Sequence, residues 1–211
     1  MKKYLLSVTS FFLAGFVSLF LLAGTAQAAE DPVNMLQSVA DQMIASLKKN
    51  QVTLKENPSL VYSLANRIIV PHADLSEMSM RVLPPQTWNS ASATQRREFA
   101  KEFTTLLVRT YASALAEYKN ETVKFFPVRG GYEGKSTVRV NSQIVRSNGP
   151  SISVVYSLVA KSGQWRLYDM TVEGVSMLES FRSQFSDQLA RGDITSLIKL
   201  LKDHNSGRSG G

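Results

Sequence analysis

Apolar residues recur at helical spacing through the first half of the chain. Asp31-Pro32 has the form of a helix N-cap followed by proline at the first helical position, and Asn57-Pro58 repeats that start signal. The second helix must end before Pro71, and Pro84-Pro85 ends the third, because proline cannot continue a helix. The pattern therefore predicts three helices, at residues 32–50, from Asn57-Pro58 to before Pro71, and at 75–83.

The longest helix is predicted to follow Ser92. Ser92 with Gln95 three residues later forms a capping-box pattern. The apolar stripe that follows is wide and aromatic, which is typical of a helix that lies across a sheet. Its members are Phe99, Phe103, Leu106, Leu107, Thr110, Tyr111, Ala114 and Tyr118.

Beyond Asn120 the spacing changes from helical to alternating, and β-branched residues become frequent. Short Gly-containing links join consecutive segments, so neighbouring strands are expected to pair as an antiparallel meander. Ile152, Val154 and Tyr156 share one face of the third strand, and we expect that face to pack against the protein core. The four predicted strands are residues 122–127, 137–146, 152–160 and 165–172.

Helical spacing returns after the last strand. Ser176 and Glu179 form a second capping box for a helix that ends at Gly192, and Asp193 can cap a final helix. Gly174 lets the chain turn sharply before Ser176. Residues 204–211 have little to bury and are predicted to form a disordered tail.

The N-terminal segment has the layout of a signal peptide. Lys2 and Lys3 precede an apolar run from Tyr4 to Ala23, and Ala26-Gln27-Ala28 fits a cleavage site. Cleavage after Ala28 predicts export to the periplasm. The alternative is a retained membrane anchor, because the run approaches the length that spans a bilayer. The chain is thus divided into a signal peptide (1–28), one domain (29–203) and the tail.

The charge and cysteine content of the exported chain restrict the classes of partner that it can bind. Loss of Lys2 and Lys3 lowers the basic residues from 24 to 22 against 17 acidic, which leaves a net charge of +5. No basic run is interleaved with aromatic residues as in a nucleic-acid groove. Three interpretations of the positive charge are left: attraction to anionic lipid, attraction to an acidic protein face, and simple solvation of surface lysines. The chain has no cysteine and therefore no disulfide.

Candidate catalytic groups are few. His72 and His204 are the two histidines, and neither has partners at metal-ligand spacing. Asp169 and Glu173 point the same way on the fourth strand and are the best acid–base pair for a hydrolase. A carboxylate at a strand end is more often a hydrogen-bond acceptor for backbone amides. No catalytic or metal site is predicted.

Two sequence blocks resemble a known family. Residues 165–177 (WRLYDMTVEGVSM), and Thr94-Gln95-Arg96-Arg97-Glu98-Phe99 with the stripe that follows, resemble the MlaC family of periplasmic phospholipid-binding proteins from the lipid-asymmetry (toluene-tolerance) transport systems. The resemblance implies an α+β fold of NTF2-like type, a curved antiparallel four-stranded sheet wrapped by helices with an N-terminal helical subdomain.

The resemblance also implies a function. A phospholipid would be the cargo, held without any cofactor and passed between an outer-membrane lipoprotein/porin complex and an inner-membrane ABC transporter with MCE domains. No chemical step is then needed. A periplasmic hydrolase that uses Asp169 and Glu173, or an adaptor with a filled core, are the alternatives.

Ten apolar or aromatic residues are expected to line the lipid cavity. Each could equally belong to an ordinary protein core, because apolar patterning reports burial and not the identity of the neighbour. They are Leu107, Tyr111, Val140, Ile144, Ile152, Val154, Tyr168, Met170, Val175 and Met177.

Overall fold

The computed structural model describes residues 30–57, 59–117 and 120–207, without the side chains of 55, 112–114 and 116. The predicted signal peptide and the last four residues lie outside this part of the chain. The helices are α1 (Pro32–Lys49), α2 (Gln51–Glu56), α3 (Leu60–Ile68), α4 (Leu75–Val82), α5 (Pro85–Ser90), α6 (Ala93–Ala116), α7 (Met177–Leu189) and α8 (Ile194–Asn205).

Side-chain caps start α1, α6 and α7 where the sequence predicts, whereas α3 begins at Leu60, after Ser59 and without a side-chain cap, later than the predicted start at Asn57-Pro58. Asp31 Oδ1 accepts the backbone N–H of Val33 at 2.7 Å at the start of α1. The capping box at α6 is reciprocal, since Gln95 N donates to Ser92 Oγ at 3.2 Å and Ser92 N donates to Gln95 Oε1 at 2.9 Å. Ser176 Oγ accepts the backbone N–H of Glu179 at 3.1 Å and starts α7. The capping box at Ser92 is confirmed, and Ser176 is confirmed as the N-cap of α7.

Two short helices were not predicted. α5 begins with Pro85, which was interpreted only as the end of the preceding helix. Proline lacks the N–H that the first turn of a helix leaves unpaired anyway, so it starts a helix as readily as it ends one. α2 follows α1 directly after Asn50, whose side chain donates to the carbonyl of Ser46 at 2.7 Å.

The strands form one antiparallel sheet in sequence order. They are β1 (Thr122–Phe125), β2 (Thr137–Val145), β3 (Ile152–Lys161), β4 (Gln164–Val172) and β5 (Val175–Ser176). The predicted meander is confirmed. The fifth strand was not predicted, because it has only two residues. Glu173 and Gly174 adopt positive φ angles of 49° and 84°, and this tight turn folds β5 back onto β4.

Three apolar clusters form the core. The helical core joins α4, α6, α7 and α8, and its centre is a set of four stacked or edge-packed phenylalanines: Phe99, Phe103, Phe181 and Phe185. The N-terminal core joins α1, α2 and α3. The sheet core joins α1 to the sheet. The backbone of α6 lies closest to α3, α4 and α8, while its phenylalanine side chains reach α7. Helices α1, α4 and α7 contact the sheet.

The C-terminal helix ends two residues later than predicted. Asn205 was placed in the disordered tail, yet it is the last residue of α8 and is buried. Its side-chain Nδ2 donates to the backbone carbonyl and to the carboxylate of Glu102, each at 2.9 Å. The prediction of disorder from position 204 is therefore wrong for His204 and Asn205. The local sequence predicts a solvated position for Asn205, because its partner Glu102 lies on a helix about 100 residues away.

Asn205→Ala is expected to lower the free energy of unfolding by about 1–3 kcal/mol, because the Glu102 carboxylate would lose a buried donor. Truncation after Asp203 should have a similar or larger effect, whereas truncation after Gly207 should leave stability unchanged. Urea denaturation followed by circular dichroism measures all three. His204→Ala is the control, since His204 is exposed beside Asn205. Wild-type stability of Asn205→Ala would contradict this role.

Candidate functional site

One face of the sheet is apolar along adjacent cross-strand rows. The register pairs residues directly opposite one another, and paired residues point to the same face. We call this surface the apolar face. Its rows are Val140–Tyr156–Met170, Phe125–Ser142–Val154–Val172–Val175, and Val123–Ile144–Ile152.

Helix α1 covers one end of this face. Met35 and Leu36 pack with Val138, Val140 and Leu158 in the sheet core. Val140 has no exposed surface. This end of the sheet is ordinary protein interior.

The other end of the apolar face is only partly covered. Ile144, Ile152, Met170 and Val172 are each half-buried, while Val154 retains only 2% exposure. None of these five residues belongs to the three core clusters formed by described residues. A run of apolar side chains that the protein does not fully cover is typical of a ligand-binding or interaction surface.

Val175 lies at the edge of the apolar face. It pairs with Val172, so both side chains are on the same side of the sheet, and 62% of Val175 is exposed. The sequence predicted a position at the sheet edge, and the structure places Val175 there. Its contact with a ligand stays a prediction.

The remaining four predicted cavity residues lie with the helical core. Leu107 is buried in that core, and Tyr111, Tyr168 and Met177 pack against it half-buried. Burial raises the pKa of Tyr111, and the negative charge of Asp169 raises it further. The Tyr111 phenol on α6 therefore lies near Asp169 of β4, the residue that precedes Met170. The ten predicted residues thus form two groups, one on the apolar face and one packed in or against the helical core.

Sequence reasoning did not name five members of the apolar face as site residues: Val123, Phe125, Ser142, Tyr156 and Val172. Alternation along each strand, combined with a correct antiparallel register, would have found them. Tyr156 and Ser142 carry the hydroxyl groups of the face. Burial raises the pKa of Tyr156, and a hydrogen bond with Ser142 partly offsets this effect. Ser142 Oγ also donates to the carbonyl of Val154 at 3.3 Å.

The carboxylates of Asp169 and Glu173 both accept hydrogen bonds within the fold. Asp169 accepts from Ser176 Oγ at 2.7 Å and from the backbone N–H of Leu178 at 3.1 Å, which holds the start of α7 against β4. Glu173 accepts the backbone N–H of Ser153. These contacts match the hydrogen-bond interpretation of a strand-end carboxylate, and no observation favours the hydrolase alternative.

An ionic network fixes α4 to the sheet beside Tyr168. Lys161 Nζ lies 2.5 Å from Asp74 Oδ2 and 3.4 Å from Glu77 Oε2. Glu77 also pairs with Arg81 at 2.7 Å, and the Arg81 guanidinium lies 4.3 Å from the centre of the Tyr168 ring. Burial raises the pKa of Asp74, but the bond from Lys161 and the backbone bonds at the helix start outweigh it and hold this pKa below its usual value.

Among the residues that the structure describes, no group of three or more His, Cys, Asp or Glu side chains is arranged to hold a metal ion. None of the helices in the same ranges combines the length and apolar content that crossing a membrane requires.

The fold and the apolar face define an α+β protein with a partly covered apolar sheet surface. Comparison with protein families identifies the group: the family model "MlaC protein" matches residues 37–203. The chain belongs to the MlaC family.

Relatives and a solved structure agree with this assignment. The chain is 30% identical over 191 residues, 89% of its length and 88% of the relative's, to the intermembrane phospholipid transport system binding protein MlaC of Haemophilus influenzae. It is 29% identical to the toluene tolerance protein ttg2D of Pseudomonas putida, with 78% of this chain and 75% of the relative covered. A phospholipid-binding protein from Ralstonia solanacearum, solved in complex with a phospholipid, superposes with a TM-score of 0.77 at 27% identity, covering 85% of this chain and 99% of that one.

Asp169→Ala is expected to lower the free energy of unfolding by about 1–2 kcal/mol, because it removes both acceptors at the start of α7. Asp169→Asn keeps one acceptor oxygen and should cost less. Chemical denaturation measures the difference. Asp187→Ala, which removes an exposed aspartate from α7, is the control and should behave as wild type. Equal stability of Asp169→Ala and wild type would refute the capping role.

Asp74→Asn is expected to destabilise the protein in a pH-dependent way. The folded pKa of Asp74 lies below the unfolded value of 3.8, so its contribution is fully present above that value and is lost as pH falls through the folded pKa. Asparagine still caps a helix, so the variant isolates the charge. Thermal melts should show a difference at pH 7 that shrinks below about pH 4. Asp203→Asn, in an exposed pair with Lys199, should change little. A difference that persists at low pH would contradict this account.

Proposed function

We propose that this protein is a periplasmic carrier that binds a phospholipid and shields its acyl chains on the apolar face. The observation that carries the proposal is the set of half-buried apolar residues Ile144, Ile152, Met170 and Val172 on that face, in a chain whose Ralstonia relative was solved with a phospholipid bound. The signal-peptide layout of residues 1–28 supports the periplasmic location.

The hydrophobic effect explains why such a carrier needs an apolar surface. The two acyl chains of a common phospholipid hold about 30 methylene groups, and each costs about 0.8 kcal/mol to expose to water. The same gain is available in a bilayer, so the net free energy of transfer between membrane and protein can be small. Exchange then needs binding and release but no catalysis, and the bound phospholipid is cargo.

Membership in the family supports a proposal for the route of transport. We propose that the donors and acceptors are an outer-membrane lipoprotein/porin complex and an inner-membrane ABC transporter with MCE domains. The names of the relatives in Haemophilus and Pseudomonas, which refer to intermembrane phospholipid transport and toluene tolerance, support this assignment.

The predicted cavity residues enter the proposal in two roles. We propose that Ile144, Ile152, Val154, Met170 and Val175 contact the acyl chains from the sheet side, joined by Val172. Leu107, Tyr111, Tyr168 and Met177 would form the opposing wall, where they already pack on the helical core. Val140 lies beneath α1, whose side chains cover it, and would support this surface from within the protein core.

Val175→Glu is expected to lose co-purifying phospholipid while keeping the wild-type melting temperature. Val175 is exposed, so a carboxylate there is solvated in the folded protein, but it would face the apolar chains when a lipid enters. Native mass spectrometry gives the lipid occupancy, and circular dichroism gives the melting temperature.

Val145→Glu is the matched control. Val145 is also an exposed strand valine, but it pairs with Thr122 and points to the opposite face of the sheet. It should retain wild-type lipid. Full occupancy in both variants would show that the Val175 edge is not the entrance. Purification of the wild-type protein from the periplasm without phospholipid would refute the proposed function itself.

A further inference from the structure

Positive charge is concentrated in the sheet and its loops. Between positions 121 and 176, which span the sheet, the chain has seven Lys or Arg against four Asp or Glu. More than half of the net charge of +5 expected after signal-peptide cleavage therefore lies in this part of the chain. Four of these cations are exposed at the β1–β2 end, and we call them the basic face: Lys124, Arg129, Lys135 and Arg139.

The register explains how the basic face is built. Lys124 pairs with Gln143, which alternates with Ser142 and Ile144 and so points away from the apolar face. Arg139 lies four residues before Gln143 on the same side of β2, about 13 Å along the strand. Arg129 and Lys135, from the loop that joins β1 to β2, meet Arg139 around an open depression of 340 Å³.

The charges of these four side chains are not paired with carboxylates among the residues that the structure describes. Lys135 Nζ donates to the carbonyls of Gly130 and Gly131 at 2.8 and 2.7 Å, which fixes its position without cancelling its charge. Lys124 Nζ lies 5.5 Å from the ring centre of Phe126. No salt bridge joins any of the four to a carboxylate in the part of the chain that the structure describes.

We infer that the basic face docks the carrier onto the phosphate-rich surface of an anionic bilayer. The cations are spread over more than the width of one phosphate group, since Lys124 and Arg139 lie about 13 Å apart along the strand direction. The depression that Arg129, Lys135 and Arg139 line is open to solvent. The arrangement therefore suits an extended charged surface better than a single small anion. Glu133 is the carboxylate of the same loop, and four cations outweigh it. Each basic residue held near an anionic membrane adds to the attraction.

Docking through this face would leave the apolar face free. The two faces are on opposite sides of the sheet, and Val175 lies at the β5 edge, which is the edge furthest from β1 in the strand order. A carrier held in this way stays close to membrane-embedded partners while its lipid-binding side remains open to them. The inference does not depend on the cargo, because it rests only on charge.

Vesicle flotation tests the inference with the full chain, purified from the periplasmic fraction of an expression host. Vesicles of phosphatidylglycerol and phosphatidylethanolamine should bind the protein, vesicles of phosphatidylcholine alone should not, and binding should fall as salt rises. Arg129→Glu/Arg139→Glu should lower partitioning at least about tenfold. Arg129→Lys/Arg139→Lys keeps the charge and should bind as wild type.

The matched control changes the same net charge elsewhere. Arg97→Glu/Arg182→Glu replaces two exposed helical arginines and should stay within about twofold of wild type. An equal loss in both charge-reversed pairs would overturn the inference, because net charge alone would then explain binding. Complete competition by soluble glycerophosphoglycerol would overturn it in favour of a single-anion site. Absence of vesicle binding by the wild type would overturn it in favour of an acidic protein partner. Phospholipid content, measured on the same samples, reports the cargo separately.

Discussion

The structure depends on a sheet whose apolar face extends beyond the end that α1 covers. Met35 and Leu36 of α1 complete the core over Val140 and Leu158, but the rows around Val154 continue beyond them. An uncovered apolar surface normally costs free energy, because water must hydrate it. A ligand with long hydrocarbon chains would remove this cost, because its chains would cover the surface in place of protein side chains.

The helices supply the stability that this open face does not. Four phenylalanines lock α6 and α7 together, and α8 is tied to α6 through the buried contact between Asn205 and Glu102. At the boundary with the sheet, Asp169 holds the start of α7 and Asp74 holds α4 through Lys161. These contacts fix the helical layer independently of the apolar face, so that face can be left partly uncovered without loss of the fold.

The two sides of β2 differ in chemical character, and the two-residue alternation of a β-strand produces this difference directly. Along β2, Val138, Val140 and Ile144 point to one side, while Arg139 and Gln143 point to the other. A single strand thus contributes to both the apolar face and the basic face. The first suits acyl chains, and the second suits their phosphate-rich surroundings.

Local signals in the sequence determined the helix starts, the order of the strands and the antiparallel meander, because caps, turns and alternation act between residues a few positions apart. They also placed Val175 beside a sharp turn. Only the tertiary structure decided that Val140 lies under α1 while Val154 and Ile152 do not, since apolar patterning cannot tell which element covers a residue. It also decided that Asn205 belongs to the fold and that Asp169 is an acceptor for α7. Asn205 meets Glu102, and Asp169 meets Leu178, only when distant or differently oriented segments fold together. Local spacing in the sequence does not encode such proximity.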